Sequence, residues 1–270
     1  AGESRGREHQ GHERRGGSAV RRPLVLAALA ALALAGCTAA APEPTPTTEG
    51  TLSGTVTVFA AASLTESFQA IADAFTAEHP NVEVTFNFGG SSGLATQIVE
   101  GAPVDVFAAA SPATMTTVTD AGLATDTQDF ASNTLEIAVP TDNPGGVTGL
   151  ADFANPDLAI ALCAAEVPCG AAAARALDAA GIMASVDTYE QDVKAVLTKV
   201  ELGEVDAGLV YRTDVLAAGA KVKGIEFPEA AGAIARYPIA ALTASANPDA
   251  AAAFVAFVLS DAGQQILQEA

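Results

Sequence analysis

Residues 56–66 read VTVFAAASLTE. Val56, Val58 and Ala60 alternate with Thr57 and Phe59 in a largely apolar run, which suits a strand buried on both faces. Ala60, Ala61 and Ala62 carry side chains too small to keep a ligand away from the backbone. Ser63-Leu64-Thr65-Glu66 then has the form of a capping box, a hydroxyl followed three residues later by a carboxylate. Leu64, Phe68, Ile71, Ala72 and Phe75 recur after it at helical spacing. A strand that feeds straight into a helix leaves the first helical N–H groups free, so the junction can hold an anion without any basic side chain. The same residues equally make an ordinary β-α unit of an α/β fold with an ordinary cap.

Working outward, the alternation continues. Val82 to Phe88 predicts a second strand, after Pro80 has ended the first helix. Gly89-Gly90-Ser91-Ser92-Gly93 opens a second helix with Leu94, Ile98 and Val99 on its apolar face. Val104 to Ala108 predicts a strand, and Ser111-Pro112 starts a helix in the favoured Ncap-N1 order. Strands are expected at Leu135 to Val139, Leu158 to Leu162, Ala207 to Val210, Val222 to Phe227 and Tyr237 to Leu242. Helices are expected at Ala171 to Ala180, around Val193 to Val200, at Ala250 to Leu259 and at Gly263 to Leu267. Strands and helices taking turns in this way argue for an α/β fold with parallel sheets. Two of the strand-to-helix turns, Ala62-Ser63 and Gly90-Ser91-Ser92, combine close backbone approach with hydroxyl donors. Ligands of open α/β sheets sit just beyond such strand ends. GGSSG on its own also reads as a flexible turn. It is not the dinucleotide fingerprint, and no GxxxxGK[ST] sequence occurs.

The chain has 270 residues and a formal charge of −19. Residues 1–36 hold 6 of the 13 Lys+Arg and 3 of the 32 Asp+Glu, so the remainder carries a net charge of −22. Such a surface disfavours nucleic acid and anionic lipid as partners. It also repels small anions at long range, so any anion site must work through short hydrogen bonds. Arg21-Arg22-Pro23, an apolar run to Leu34 too short to span a bilayer, and Leu34-Ala35-Gly36-Cys37 resemble a lipoprotein signal whose cysteine becomes the lipidated N-terminus. A plain secretory signal with a chance cysteine is the alternative. Residues 38–54, rich in Pro, Thr, Ala and Glu, read as a tether.

Five blocks now carry a resemblance: VTVFAAASLTESF, FGGSSGLATQIVEGAPVDVFAAAS, EVPCG, DVKAVLTKVELGEVDAGLVYRTD and YPIA. In this order they resemble the molybdate-binding proteins, the substrate-binding components of ABC transporters for molybdate and tungstate. The resemblance runs from about Gly54 to Leu267. It implies an α/β, two-lobed periplasmic-binding fold of type II, each lobe a mostly parallel sheet flanked by helices, with the anion in the cleft between them. The implied organisation is a signal peptide at 1–36, a lipidated Cys37 with its tether at 37–53, lobe one at 54–132 plus 228–270, and lobe two at 133–227. In the family the oxyanion is held without salt bridges. Matched residue by residue, the ligands would be the hydroxyls of Ser63 and Ser91, with Ser92 as a possible addition, the backbone N–H groups of Cys169 and Val193, and the hydroxyl of Tyr211. Each has a bland reading too: Tyr211 as a half-buried core tyrosine, Val193 as a core-facing residue. Lys194 and Arg212, next to matched positions, are expected to point to solvent.

If Cys37 is lipidated, Cys163 and Cys169 remain as an even pair in an oxidising exterior. A disulfide between them would hold the lobe-two ligand loop; free thiols or a metal pair are the alternatives. An enzyme is the rival class. Ser63 after a strand suggests a nucleophile elbow, but GxSxG is absent, and His79 is the one histidine available after the signal segment as a general base. The expectation is therefore a lipid-anchored, extracytoplasmic, monomeric binding protein that passes molybdate or tungstate to an ABC permease, with no cofactor, no catalysis and no nucleic acid. Sulfate and phosphate are the alternative ligands.

Overall fold

The computed structural model describes residues 51–270. The signal segment, Cys37 and nearly all of the tether lie outside the described residues. From Gly54 the chain builds two five-stranded sheets, each covered by helices. The first holds β1 (Gly54–Ala61), β2 (Val82–Gly89), β3 (Val106–Ala108), β4 (Gln128–Asn133) and β10 (Ala235–Ala241), in the order β2-β1-β3-β10-β4. The second holds β5 (Leu135–Pro140), β6 (Ile160–Cys163), β7 (Thr188–Glu190), β8 (Ala207–Tyr211) and β9 (Val222–Ile225), in the order β7-β6-β8-β5-β9. The chain crosses outward at Thr134, between β4 and β5, and returns between Ile225 and Ala235. This is the two-lobed arrangement the resemblance implies.

Within each lobe the strands around the β-α units run parallel: β1 with β2 and β3, β6 with β7 and β8. The strands next to the crossings run antiparallel: β10 against β3 and β4, β5 against β8 and β9. The apolar runs at Val56 to Ala61 and Ala207 to Tyr211 become β1 and β8, whose buried residues face helices on both sides. Helix α1 (Thr65–Glu78) packs Phe68, Ile71 and Phe75 inward. The Phe68 ring meets Phe130 at 5.6 Å and Phe75 meets Phe254 at 5.4 Å. This aromatic cluster fixes α1, and with it the turn that carries Ser63, to β4 and the late helix α7 (Pro248–Leu259). Emptying Phe68 would cost about 3–5 kcal/mol, a large part of a domain's stability.

The remaining helices are α2 (Ser91–Val99), α3 (Pro112–Asp120), α4 (Pro168–Ala180), α5 (Val193–Glu201), α6 (Arg212–Ala218) and α8 (Asp261–Glu269). Ser111 caps α3 as its sequence requires, accepting from the Thr114 N–H. One local expectation fails. Ser63 does not cap α1: the chain makes a short 3-10 turn over Ala62–Leu64, and α1 begins at Thr65 without a side-chain cap. The two polar members of the apparent capping box are engaged elsewhere, as described next.

Candidate functional site

Six strand-to-helix or loop-to-helix junctions meet where the two lobes face each other. They enclose a cavity of about 20 Å³ lined by Ala61, Ala62, Ser63, Gly89, Gly90, Ser91, Ala110, Val167, Pro168, Cys169, Asp192, Val193 and Tyr211. Ser63, Ser91, Cys169, Val193 and Tyr211 are thus brought together from both lobes. Ser92 is not in the lining. Its hydroxyl donates to the Glu166 carbonyl at 2.6 Å, across the cleft, which makes it a contact between lobes. The cavity has the scale of a small ion; pockets for organic ligands run to roughly 300–1,000 Å³. A larger space of about 360 Å³ shares Ser63 but is otherwise walled mostly by apolar groups, among them Leu64, Leu216 and Leu267, and receives none of the other four residues.

Each wall is built to donate. On the lobe-one side, Ser63 Oγ lies 2.9 Å from the Tyr237 hydroxyl. With Tyr237 donating, the Ser63 proton is free for the cavity. Ser91 Oγ accepts from the Ala110 N–H at 3.0 Å, so its own proton is likewise available. Both serines are buried. On the lobe-two side, α4 and α5 begin at the cavity. Asp192 caps α5 by accepting from the Ala195 N–H at 2.9 Å, which leaves the Val193 N–H among the helix donors with no intrahelical acceptor. Cys169 stands in the first turn of α4, and a disulfide ties it to Cys163 at the end of β6, with 5.7 Å between the Cα atoms. Gly170 is required there, because a Cβ on it would fall 1.9 Å from the Ala164 carbonyl oxygen.

Tyr211 completes the wall. It is 1% exposed, and its hydroxyl has no hydrogen-bond partner. Burial, and the nearby Asp214, push its phenol well above the ordinary value, so it stays a neutral donor. No Lys or Arg lines the cavity, and its one carboxylate, Asp192, is committed to capping. His79, at the far end of α1, packs at a tilt against Phe75 and does not line the cavity. Among the described residues no group of three or more His, Cys, Asp and Glu side chains could hold a metal ion.

Three participants were missed by reading the sequence. Tyr237 stands in the YPIA block, where nothing local marks its hydroxyl as the partner of Ser63. Asp214 is wholly buried; its Oδ2 accepts the Tyr211 N–H at 3.0 Å, and burial pushes its carboxyl up to about 6. Lys194 does not point to solvent as expected. Its Nζ contacts both Glu66 carboxylate oxygens, at 2.8 and 2.9 Å, and lies 3.3 Å from Asp214 Oδ1. Arg212 does face outward, pairing with Glu226 on the surface. A lysine among helical residues carries no signal of a distant acidic partner, so only the fold could reveal this contact.

Comparison with known proteins agrees with this architecture. A protein named molybdate-binding protein ModA from Mycobacterium tuberculosis is 43% identical over 242 residues, covering 89% of this chain and 92% of the relative. A solved structure described as the substrate binding domain of a putative molybdenum ABC transporter from Clostridium difficile superposes with a TM-score of 0.60 at 32% identity, covering 80% of this chain and 96% of that one. The Azotobacter vinelandii periplasmic molybdate-binding protein superposes with a TM-score of 0.68 over 79% of this chain and 96% of its own, at 19% identity, a likeness of fold. Residues 56–270 match the family described as bacterial extracellular solute-binding protein, and this chain belongs to that family.

Proposed function

We propose that this protein captures molybdate, and tungstate with it, outside the cytoplasm and delivers it to an ABC importer. The observation that carries the reading is the Tyr211 hydroxyl, fully buried, unpartnered and set in the wall of an ion-sized cavity whose other polar groups are donors. A buried donor left without an acceptor costs about 1–3 kcal/mol, and a tetrahedral dianion would supply the missing acceptor. Ser63, Ser91 and the N–H groups of Cys169 and Val193 would take the other oxygens. Phosphate at neutral pH carries a proton that needs an acceptor, and the cavity offers none that is free. Sulfate fits the same donors and differs chiefly in size; the named relatives favour the larger anion. In this reading Cys37 carries the lipid anchor, residues 54–132 with 228–270 and residues 133–227 close as two lobes on the ligand, the protein acts as a monomer, and neither cofactor nor catalysis is involved.

Calorimetric titration of the chain tests the assignment. Molybdate and tungstate should bind with sub-micromolar affinity, about −8 kcal/mol or better, and sulfate at least ~100-fold more weakly. Equal affinity for sulfate would sink it. For the anchor, Cys37→Ala should release the protein from the membrane fraction or block its processing.

A further inference from the structure

The cavity is closed by contacts that do not touch it, and one of them is charged. Glu66 lies in the first turn of α1 in lobe one, and Lys194 in the first turn of α5 in lobe two. Their two-pronged contact is the one ion pair between the lobes among the described residues; every other pair joins residues of a single lobe. Both partners sit next to the site in sequence. Glu66 follows Ser63 by one helical turn, and Lys194 follows Val193 directly.

Lys194 also reaches inward. Its Nζ is 3.3 Å from Asp214 Oδ1, and the other oxygen of that carboxylate receives the Tyr211 N–H. Asp214 has no exposure at all and Lys194 is 24% exposed, whereas Glu66 is 52% exposed. An unpaired buried carboxylate is costly, so Lys194 belongs to lobe two whether the cleft is open or shut. Glu66 is the partner that can leave. The lobes otherwise repel: residues 54–132 and 228–270 hold one basic residue, Arg236, among 13 acidic ones, and residues 133–227 hold 6 basic among 14 acidic. Two acidic bodies brought together around an added dianion need a local attraction at the seam.

We infer that Lys194 is a positioning residue that latches the closed cleft: held by Asp214 beneath Tyr211, it captures Glu66 when the lobes meet and so slows release of the bound anion. The inference rests on the anion-cleft reading above, but it concerns closure, which can be measured without any ligand. The pair holds the closed state, so breaking it should speed dissociation and, to the extent that the pair also closes the empty cleft, leave association unchanged or faster.

The experiment compares the wild-type chain with Glu66→Gln, Lys194→Met, Lys194→Arg and the Glu66→Gln/Lys194→Met pair. Stopped-flow displacement of molybdate gives the rates, and small-angle X-ray scattering gives the radius of gyration with and without molybdate. Glu66→Gln, a surface change that leaves the Asp214 pair intact, should raise the dissociation rate about 2- to 5-fold at low salt. The gap should narrow at high salt as the wild-type pair is screened. Lys194→Arg should stay close to wild type, and the double variant should release no faster than Lys194→Met alone. The ligand-free Glu66→Gln chain should scatter as a more open particle than wild type. The latch is overturned if Glu66→Gln matches wild type in dissociation rate and in ligand-free shape, or if the two substitutions add independently. Should the wild type fail to bind molybdate at all, the function proposed above falls, and the ligand-free scattering comparison still decides the latch.

Discussion

The two sides of the cavity reach the same chemistry by different means. Lobe one offers side chains: two serine hydroxyls, each oriented by one neighbour, Tyr237 for Ser63 and the Ala110 N–H for Ser91. Lobe two offers mostly backbone: the starts of α4 and α5, held by a disulfide and by the Asp192 cap, with Tyr211 as its one hydroxyl. A hydroxyl can be deleted by a single substitution. A backbone N–H survives most substitutions and can be disturbed only through whatever holds the helix start in place. The two halves should therefore respond to mutation in different currencies, lobe one in affinity and lobe two in stability.

The sharpest break in that contrast would come from the hydroxyls. Hydrogen bonds to a charged partner are worth roughly 1.5–3 kcal/mol, so Ser63→Ala, Ser91→Ala and Tyr211→Phe should each weaken molybdate binding about 10- to 150-fold by calorimetry, with Arg212→Ala as an unaffected control. Normal binding by all three hydroxyl variants would mean the anion is held some other way. Next is Gly90→Ala. A Cβ there would lie 2.2 Å from the Gln191 carbonyl oxygen in the opposite lobe. The lobes can relieve that clash by staying apart, so a packing penalty of about 1–3 kcal/mol should appear as a 5- to 150-fold loss of affinity with little change in the melting temperature of the ligand-free chain. A lowered ligand-free melting temperature with normal affinity would place the clash within a lobe instead.

Cys169→Ala probes the other half. It keeps the N–H and removes a short covalent ring, so it should cost about 2 kcal/mol in unfolding experiments while affinity falls only a few-fold. A loss of affinity as large as that of Ser91→Ala would show that the bridge, more than the helix start, places the donor. The smallest effect is one of pH. Burial raises the Asp214 carboxyl to about 6, with Lys194 opposing. A raised acid binds its proton more tightly when folded. Its contribution is therefore fully present below the unfolded value near 4 and is lost as pH rises toward 6. Against Asp214→Asn, which lacks the group, the wild-type melting temperature should decline over that interval; a rise would mean that the Lys194 pair outweighs burial.

Much of this was legible in the chain because local pattern and global fold agree. The apolar run at Val56, the Ser111-Pro112 start and the periodicity from Val193 each produced the element expected of them. Strand β4, QDFASN, has one inward-facing aromatic and no alternation to speak of; its pairing partner β10 lies about a hundred residues away, and only that partner makes it a strand. Helix α6 begins at Arg212, directly after β8, without an apolar stripe long enough to announce it. The same limit hid part of the site. Ser63 and Glu66 satisfy a local rule, yet the folded chain uses one at the cavity and the other against Lys194. Local patterns singled out Ser63 and Glu66 but paired them with each other, since a partner distant in sequence leaves no trace at short range.

The placement of β10 between β3 and β4 bears on how the protein comes to be folded. Every strand of the second sheet is made from one uninterrupted stretch, Leu135 to Ile225, so that lobe can assemble as soon as its own residues are available. The first sheet cannot: β4 pairs with β10 alone, and β3 keeps an open edge until β10 arrives. A chain delivered N-terminus first would thus hold its earliest strands unfinished until nearly its last residues appear, with an exposed edge that invites wrong pairing. The lobe begun first would be the one completed last, and the cleft would come into being only with the closing of that sheet.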